Sequence, residues 1–574
     1  MSIFDIFRTR KKIKTPWNKY YTKEDLNISI PNISMYDQVL ASSIRYPDNV
    51  AIYYFNRKIT YKKLIKKIDE TALAFMSKGI KKGDVVTICL PNIPEALYCV
   101  YALNKIGAIA NMTHPLSAVE EIKDSLNTTN SKILVILDLI YPKLKGNINT
   151  LSKKNIIYVS ASDSMTFLMK LGYKISKLSI RIFNKNYISF KKFIIMRKRN
   201  KNVEFKKYGK NTPAVILHSG GTSGKPKNVV IQNRAFILAS KQEKIALREL
   251  APKDKCLAIM PNFHGFGLSV SMHTPLSLGY SVVLIPSFNA RKFDTLLKKV
   301  EPNCVLGVPT LYEALASSNN EPDLDLSCLK YVICGGDILS NNLEDRVNDY
   351  LLKHSSKVKI TQGYGMSEAL AAVSLSSDNH IKSGSIGIPL PGNHIKIIDP
   401  STRNTLPFGE IGEICINSKA LMMGYLNNES ETNEALQIHK DGHIWLHTGD
   451  LGYMDEDGFI FYKGRQKRMI ITSGYNVYPS HIEEVIEKHE AVLQCTVVGM
   501  PHPYKHEVAK AFIVLKEGYK GLFIKSQIKE YCKKNLSKYM VPYKFVYRKS
   551  LPKTKLGKVD FKKLQSDIGE DDDE

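Results

Sequence analysis

Apolar positions fall into short runs separated by turn-forming residues along most of this chain, and the length of the runs sets the elements. From about Asp37 to Ala110 an apolar-periodic stretch precedes VVTICL and PNIPEALYCVYALNKIGAIANM. Strand and helix alternate there, which predicts a parallel sheet with crossover helices. The alternation returns at AVILHS, LAIMPNF, SVVLIP, CVLGVP and YVICGG. Each of these runs ends in small or turn-forming residues that can open a ligand crevice at a C-terminal strand edge. The longest apolar run, Ile133 to Tyr141, is broken by Asp138 and falls well short of the ~20 residues of a membrane-spanning helix, so it reads as a buried strand. After Leu390 the segments shorten and become rich in Gly, Asp and Asn (GNHIKIID, GEICIN, GFIFYKG), the texture of antiparallel hairpins.

From Arg468 the pattern restarts: a helix around Pro479 to His489, strands at CTVVGM and AKAFIVL, and a helix around Ser526 to Asn535. The expected fold is α/β. A large N-terminal body of parallel and mixed sheets with helices and a β-hairpin subdomain occupies residues 1–464, a hinge 465–467, and a small α+β C-terminal lid 468–568. The acidic tail, residues 569–574, reads as disordered.

At 574 residues the chain exceeds what one hydrophobic core organises, which agrees with at least two domains. Its 82 Lys and Arg against 55 acidic residues give a net charge of +27, which favours anionic partners without choosing among nucleotides, coenzyme A, nucleic acid and lipid headgroups. Much of the excess is Lys scattered among Ile and Asn, the pattern of a solvating surface. Cysteines stand singly, with no CxxC pair or zinc-like spacing, which argues against a disulfide framework. In the opening MSIFDIFRTRKKIKTPW the basic residues follow a short apolar stretch and no cleavage site comes after, so no signal peptide is expected and the cytoplasm is the expected location.

Five segments carry candidate chemistry. In ILHSGGTSGKPKNVV a strand feeds Ser219-Gly220-Gly221-Thr222-Ser223-Gly224, followed by Lys225-Pro226-Lys227. Glycines let a backbone wrap an anion, hydroxyls add donors and Lys adds charge, so the loop suits phosphate; a plain Gly/Ser turn is the alternative. The P-loop of NTPases does not fit, because it needs Gly at position 219 and Ser or Thr at 226. In Tyr364-Gly365-Met366-Ser367-Glu368 an aromatic can stack on a purine and a carboxylate can hold a hard divalent cation. His447-Thr448-Gly449-Asp450 places a carboxylate in a tight turn, able to accept ribose hydroxyls or simply to make the turn. Gly464-Arg465-Gln466-Lys467 precedes ITSGYNVYPSHIEE, and LPKTKLGK spans Leu551 to Lys558.

In this order and spacing the segments resemble the acyl-adenylate-forming superfamily of acyl-CoA synthetases, aryl-CoA ligases, luciferases and nonribosomal adenylation domains, over about Ser34 to Leu564. The resemblance implies that Thr222, Ser223 and Lys227 hold the β- and γ-phosphates within the Ser219–Lys227 loop. It implies that Gly335-Gly336-Asp337 borders the adenine and that Tyr364 packs on it. Ser367 then stands beside the phosphate, Glu368 binds Mg2+, Asp450 takes the ribose hydroxyls and Arg465 is its partner. Lys467 occupies the hinge position, and Lys558 bridges the carboxylate and the α-phosphate, with Lys558, Lys227 and Glu368 as the catalytic set. His264 matches a position beside the acyl pocket, where Phe266 and Met366 are further lining candidates or plain packing, and the segment around Ser473-Gly474 faces the thiol step. Two departures stand out. Asn228 follows Lys227 where the family has Gly, and Arg468 follows the hinge where an acidic residue is frequent.

The activity so implied consumes ATP and Mg2+: a carboxylic acid becomes an acyl-adenylate, which then passes to a thiol. Coenzyme A is the expected acceptor and an acyl-carrier protein the alternative. The segments GFGLSVSM and GVPTLYEAL carry no fixed charge, which suits a medium- or long-chain fatty acid, or an aryl acid, better than an amino acid. A non-catalytic nucleic-acid-binding protein would account for the charge but not for the ordered motifs, and no nucleic acid is expected as partner. Residues 164–203 contain eleven Lys or Arg and no acidic residue. Leu168, Leu171, Ile175, Leu178 and Ile182 recur there at helical spacing beside Lys170, Lys174, Lys177 and Arg181, a pattern for peripheral contact with anionic membrane or for a helix packed on the body.

Overall fold

The structure, a computed structural model, describes residues 13–141, 155–176, 187–199, 205–219, 227–376, 380–472, 475–554 and 558–567. The acidic tail 569–574 lies outside them.

After two short helical turns, Pro16–Tyr20 and Lys23–Leu26, the helix Met35–Arg45 starts where Ser34 can cap it. The Ser34 hydroxyl accepts the Asp37 amide, and the Asp37 carboxylate takes the Ser34 amide at 2.8 Å, a reciprocal capping box. The predicted alternation then follows, with strands Val50–Tyr54, Val85–Cys89 and Ile109–Met112 separated by helices Tyr61–Ser77 and Pro94–Lys105. These strands do not share one sheet. Val85–Cys89 and Ile109–Met112 lie in an eight-stranded sheet with Ile133–Leu137, Asn155–Val159, Tyr187–Ser189 and Pro213–Ser219, all parallel, edged by the antiparallel Lys227–Gln232 and Gly424–Tyr425. Val50–Tyr54 instead pairs in parallel with Ser281–Leu284 in a nine-stranded sheet. The parallel middle of that sheet continues through Lys255–Ala258, Cys304–Gly307, Tyr331–Gly335 and Ile360–Met366.

The segments after Leu390 form the expected antiparallel sheet, from Asn393–Ile398, Gly412–Ser418, Leu436–Ile438, Ile444–Met454 and Ile460–Arg465. The C-terminal unit has its own sheet and its own core, in which Ile470, Ile482, Val497, Ile513 and Ile528 are buried. Its helices run Pro479–Glu487 and Leu522–Asn535, and its long hairpin pairs Val492–His502 with His506–Leu515. The Ile133 run is a buried strand only as far as Leu137; at Asp138 it turns into a short 3-10 helix, Asp138–Ile140, because a charged side chain breaks the fully apolar run that a central parallel strand needs. Among the described residues no helix is long and apolar enough to cross a membrane.

Phe266–His273 is wound as a π-helix, a form found mostly as single turns at functional sites. It can lie there only because Gly267 has no side chain, since a Cβ at that position would sit 2.0 Å from the Pro261 carbonyl oxygen.

Candidate active site

Strands Pro213–Ser219 and Lys227–Gln232 are antiparallel neighbours, with Ser219 opposite Lys227. The two ends of the expected phosphate loop therefore face each other. Gly220, Gly221, Thr222, Ser223 and Gly224 lie outside the described residues. Asn228 continues the ladder opposite His218 and is not among the residues with positive φ. The departure from glycine there is absorbed by ordinary strand geometry rather than by tolerance of an unusual backbone angle.

Lys227 is held in a cluster that motif reading missed. Its Nζ lies 2.9 Å from Glu431 Oε2 and 4.6 Å from the centre of the Tyr425 ring. The Tyr425 hydroxyl donates to Glu368 Oε1 at 2.9 Å. Tyr425 thus touches both the lysine after the loop and the carboxylate that the resemblance assigns to the metal. Its position comes from pairing with Val229, nearly two hundred residues earlier in the chain, and only that pairing marks it out.

On the opposite side the strand Tyr331–Gly335 runs beside Ile360–Met366, with Gly335 level with Gly363. Gly336 turns the chain away with φ +83°, an angle that favours glycine, and Asp337 follows. Ser367 and Glu368 are buried at the end of the second strand. The Tyr364 hydroxyl donates to Asp450 Oδ2 at 2.6 Å, and its ring centre is 6.3 Å from that of Tyr462. Arg465, cross-strand neighbour of Asp450, brings Nε to 2.8 Å from Asp450 Oδ1. Burial pushes the Asp450 carboxyl above the usual carboxylate range, with Arg465 and Tyr364 opposing. Burial draws the Arg465 guanidinium down, but Asp450, Tyr462 and Tyr364 outweigh it and hold it fully charged.

Glu413 is a second residue that the motifs did not single out. It accepts the Gly449 amide on Oε1 at 2.9 Å and lies 2.9 Å from His447 Nδ1 through Oε2, which fixes the strand Ile444–Met454 just before Asp450. The tight turn expected there is instead strand, with Gly449 at φ +67° because glycine has no Cβ to oppose that angle. Glu413, Cys415 and His447 also bring ligand-type atoms within 4.8 Å of one another. A metal role does not follow, because His447 Nδ1 is already engaged by Glu413 and burial keeps the Cys415 thiol protonated.

Lys558 reaches this cleft from the C-terminal unit. A Cβ on Gly336 would meet its Nζ at 4.0 Å. Burial lowers its ammonium from the usual range; Asp337 and Asp450 act against that lowering, while Arg465 adds to it. Burial, with Lys558 nearby, brings His264 down to about 4, so its ring is neutral near pH 7. His264 Nδ1 accepts the Phe266 amide at 3.3 Å, and a Cβ on Gly335 would lie 3.5 Å from Phe266 Cζ. Lys558, Asp337, Asp450, Arg465, His264 and Phe266 therefore converge. Met366 is partly buried against the main core at the end of its strand, immediately before Ser367.

Lys467 sits in a 3-10 turn, Gln466–Arg468, between the last strand of the antiparallel sheet and Ile470–Thr472. Arg468 belongs with the C-terminal unit: its guanidinium lies 3.3 Å from the centre of the Phe561 ring and 3.3 Å from Glu483. Ser473 and Gly474 lie outside the described residues. Of the basic segment, a helix spans Phe167–Ser176 with Leu171 half exposed and Lys170 3.9 Å from Asp163. Leu178, Ile182, Lys177 and Arg181 lie outside the described residues.

The sequence model described as AMP-binding enzyme matches residues 41–426, and that of the AMP-binding enzyme C-terminal domain matches residues 481–558. The chain belongs to the AMP-binding enzyme family. Among members of the family, a long-chain-fatty-acid–CoA ligase of Bacillus subtilis is 31% identical over 95% of this chain and 96% of its own length. A probable 4-coumarate–CoA ligase 1 of Dictyostelium discoideum is 30% identical over 88% and 90%. A solved family fold, the anthranilate CoA ligase AuaEII in complex with anthranoyl-AMP, superposes with a TM-score of 0.82 over 94% of this chain and 98% of that one, at 22% identity. The predicted α/β body with a smaller C-terminal domain is thus the fold of this family, and the protein is an AMP-forming acid–thiol ligase.

The role of Asp450 in this AMP-binding enzyme can be tested singly. If it accepts the ribose hydroxyls, Asp450→Asn lowers kcat/KM for ATP by about 10- to 100-fold, since hydrogen bonds to a charged group contribute about 1.5–3 kcal/mol. Pyrophosphate exchange at varied ATP measures it, and an unchanged KM for ATP removes the assignment.

Proposed function

We propose that this enzyme activates a long-chain fatty acid as its acyl-adenylate and transfers the acyl group to coenzyme A. The observation that carries the reading is the arrival of Lys558 from the C-terminal unit at Gly336, beside His264 and Phe266. The similarity to long-chain-fatty-acid–CoA ligases supports the substrate class, as does the apolar cluster of Val270, Leu306, Ile333 and Leu375 against which Phe266 packs. The 4-coumarate–CoA ligases of Dictyostelium discoideum support an aryl acid as the second reading.

A carboxylate is a poor acyl donor because its leaving group would be oxide. In the first step its oxygen attacks the α-phosphorus of ATP, the bond to the bridging oxygen breaks and pyrophosphate leaves. The nucleophile is already ionised, so the enzyme supplies position and positive charge rather than a base. Lys558 spans the acid and the α-phosphate, Lys227 and the loop from Ser219 take the outer phosphates, and Asp450 with Arg465 holds the ribose. Glu368 suits Mg2+: it is a buried hard-oxygen donor, and one carboxylate plus substrate phosphates is how that ion is commonly held. When bound, Mg2+ neutralises phosphate charge. The Tyr425 hydroxyl keeps the Glu368 carboxylate oriented. In the second step the thiol sulfur attacks the acyl carbon, AMP departs with the carbon–oxygen electron pair and the thiol proton passes to solvent. We assign residues 1–464 to the body, 465–467 to the hinge and 468–568 to a lid that turns between the steps.

The test is AMP formation from ATP and Mg2+ across fatty, aryl and amino acids, with coenzyme A, with acyl-carrier protein and without a thiol. Fatty acids with coenzyme A are expected to be the best pair. Turnover confined to aryl acids, or to carrier protein, overturns that part of the reading, and binding of nucleic acid with no AMP formed overturns all of it.

The half-exposed Leu171 favours a peripheral membrane contact for 164–203. Sedimentation with anionic vesicles but not neutral ones is expected, and it weakens when Lys170, Lys174, Lys177 and Arg181 become Gln, each cation contributing about 1 kcal/mol. Binding that ignores lipid charge removes the contact.

A further inference from the structure

Behind Phe266 lies a buried carboxyl with nothing to do. Glu243 is on the helix Asn233–Ala246 and is 4% exposed. Its neighbour Gln242 uses its side-chain amide nitrogen to donate to the Pro391 carbonyl and to Asn393 Oδ1. Neither Glu243 oxygen has a hydrogen-bond partner among the described residues, and the Thr274 hydroxyl beside it has none either. Thr274 is close enough to favour the charged carboxyl slightly but is not placed to complete a hydrogen bond. Burial pushes Glu243 up to about 8, with only Thr274 acting the other way, so the group is mostly neutral near pH 7. A neutral carboxyl both donates and accepts, and a buried one with neither function met is costly.

Glu243 and Thr274 line a cavity of about 10 Å3 whose other walls include Val270, Leu306, Cys256 and Cys304. That is about the space one water or one hydroxyl needs. Val270 stands about one turn along the π-helix from Phe266, whose ring abuts Gly335. Leu306 is on the strand Cys304–Gly307, beside Tyr331–Gly335 in the sheet. Val270 and Leu306 thus join the cluster against which Phe266 packs to a cavity wall in which, beside the Tyr280 hydroxyl that donates to the Leu250 carbonyl and the thiols of Cys256 and Cys304, Glu243 and Thr274 are the polar groups left without hydrogen-bond partners among the described residues.

We propose that Glu243 closes the far end of the acyl-binding channel and exchanges hydrogen bonds with a hydroxyl near the end of the acid's alkyl chain, making the enzyme selective for hydroxylated fatty acids. The inference rests on the fatty-acid reading and narrows it. The carboxyl O–H donates to the substrate oxygen, the substrate O–H donates to the carbonyl oxygen of Glu243, and both orphaned functions are met. An unsubstituted chain leaves them unmet and places a methyl group against them. A site built to hydrogen-bond a substrate hydroxyl rejects the analogue without it far more strongly than an apolar pocket rejects an extra one.

The experiment compares kcat/KM for saturated fatty acids and for terminally hydroxylated acids of equal length, in the wild type, Glu243→Gln and Glu243→Leu, with coenzyme A present. Wild type is expected to favour the hydroxy acid at least tenfold, Glu243→Gln to keep part of the preference, and Glu243→Leu to reverse it. Equal kcat/KM for the two acids in wild type overturns the inference and leaves the fatty-acid reading standing. A ratio that Glu243→Leu leaves unchanged makes Glu243 a packing residue and also overturns it. Should Glu243→Leu not fold, a ratio unaltered by Glu243→Gln has the same force. Turnover of aryl acids with neither fatty acid accepted overturns both the reading and the inference.

Discussion

Lys558→Ala is expected to abolish most adenylate formation while leaving thioester formation from a preformed acyl-adenylate nearly intact. The lysine comes from the C-terminal unit to Gly336, and Asp337 and Asp450 partly sustain its charge against burial. Charge on the α-phosphate and the attacking carboxylate is redistributed as pyrophosphate departs, so a cation fixed there contributes more in the transition state than in the bound substrates. Loss of one such contact costs roughly 3–4 kcal/mol, by analogy with removal of one oxyanion donor, or a few hundredfold in kcat. In the second step the α-phosphate leaves as part of AMP and needs no bridging to the acid. Pyrophosphate exchange reads the first half-reaction, and thioester formation from synthetic acyl-adenylate reads the second. If both fall together, Lys558 is holding the fold or the lid rather than the reacting phosphate.

Lys467→Pro is expected to separate the steps in the opposite sense, keeping pyrophosphate exchange near wild type and slowing transfer to the thiol by at least about tenfold. Proline fixes φ near −65° and removes an amide donor, so a turn that must change its backbone angles is frozen in one state. The hinge proposed at 465–467 falls on the turn Gln466–Arg468. Arg465 before it is locked to Asp450 in the body, and Arg468 after it is anchored on Phe561 and Glu483 in the C-terminal unit. A rotation of the C-terminal unit against the body would therefore be concentrated in very few residues. Wild-type rates in thiol transfer show that Lys467 does not act as a hinge.

Asp450 and Arg465 were legible as motif residues because each sits in a short segment of constrained residue types, although Asp450 lies within the strand Ile444–Met454 rather than in the expected tight turn, and Arg465 ends the next strand. The resemblance named Arg465 as the partner of Asp450, but neither motif shows the contact by which they pair. It arises because Ile444–Met454 and Ile460–Arg465 form a hairpin whose register, with a bulge between Leu451 and Gly452, sets the two side chains across from each other. Arg468 shows the same limit from the other side. In the sequence it is only a departure from a frequent acidic residue, whereas its contacts with Phe561 and Glu483 make it part of the C-terminal unit.

What the sequence determined by itself is what short stretches of chain decide: the run lengths that make strands and helices, the small residues at strand ends, the change of texture after Leu390, and the ordered motifs that point to acyl-adenylate chemistry. These depend on steric preference and on periodic burial, which neighbouring residues share. Only the tertiary structure decided which strands lie together. Val50–Tyr54 and Val85–Cys89 fall in the one stretch where strand and helix alternate, yet the first pairs with Ser281–Leu284 and the second with Ile109–Met112 and Ile133–Leu137. A fully buried parallel strand carries no alternation to mark its partner, so the choice falls to contacts between distant segments. The same distant contacts set Tyr425 between Lys227 and Glu368, bring Glu413 against the strand segment before Asp450, and leave Glu243 facing a cavity without a hydrogen-bond partner among the described residues, because each depends on where another part of the chain comes to rest.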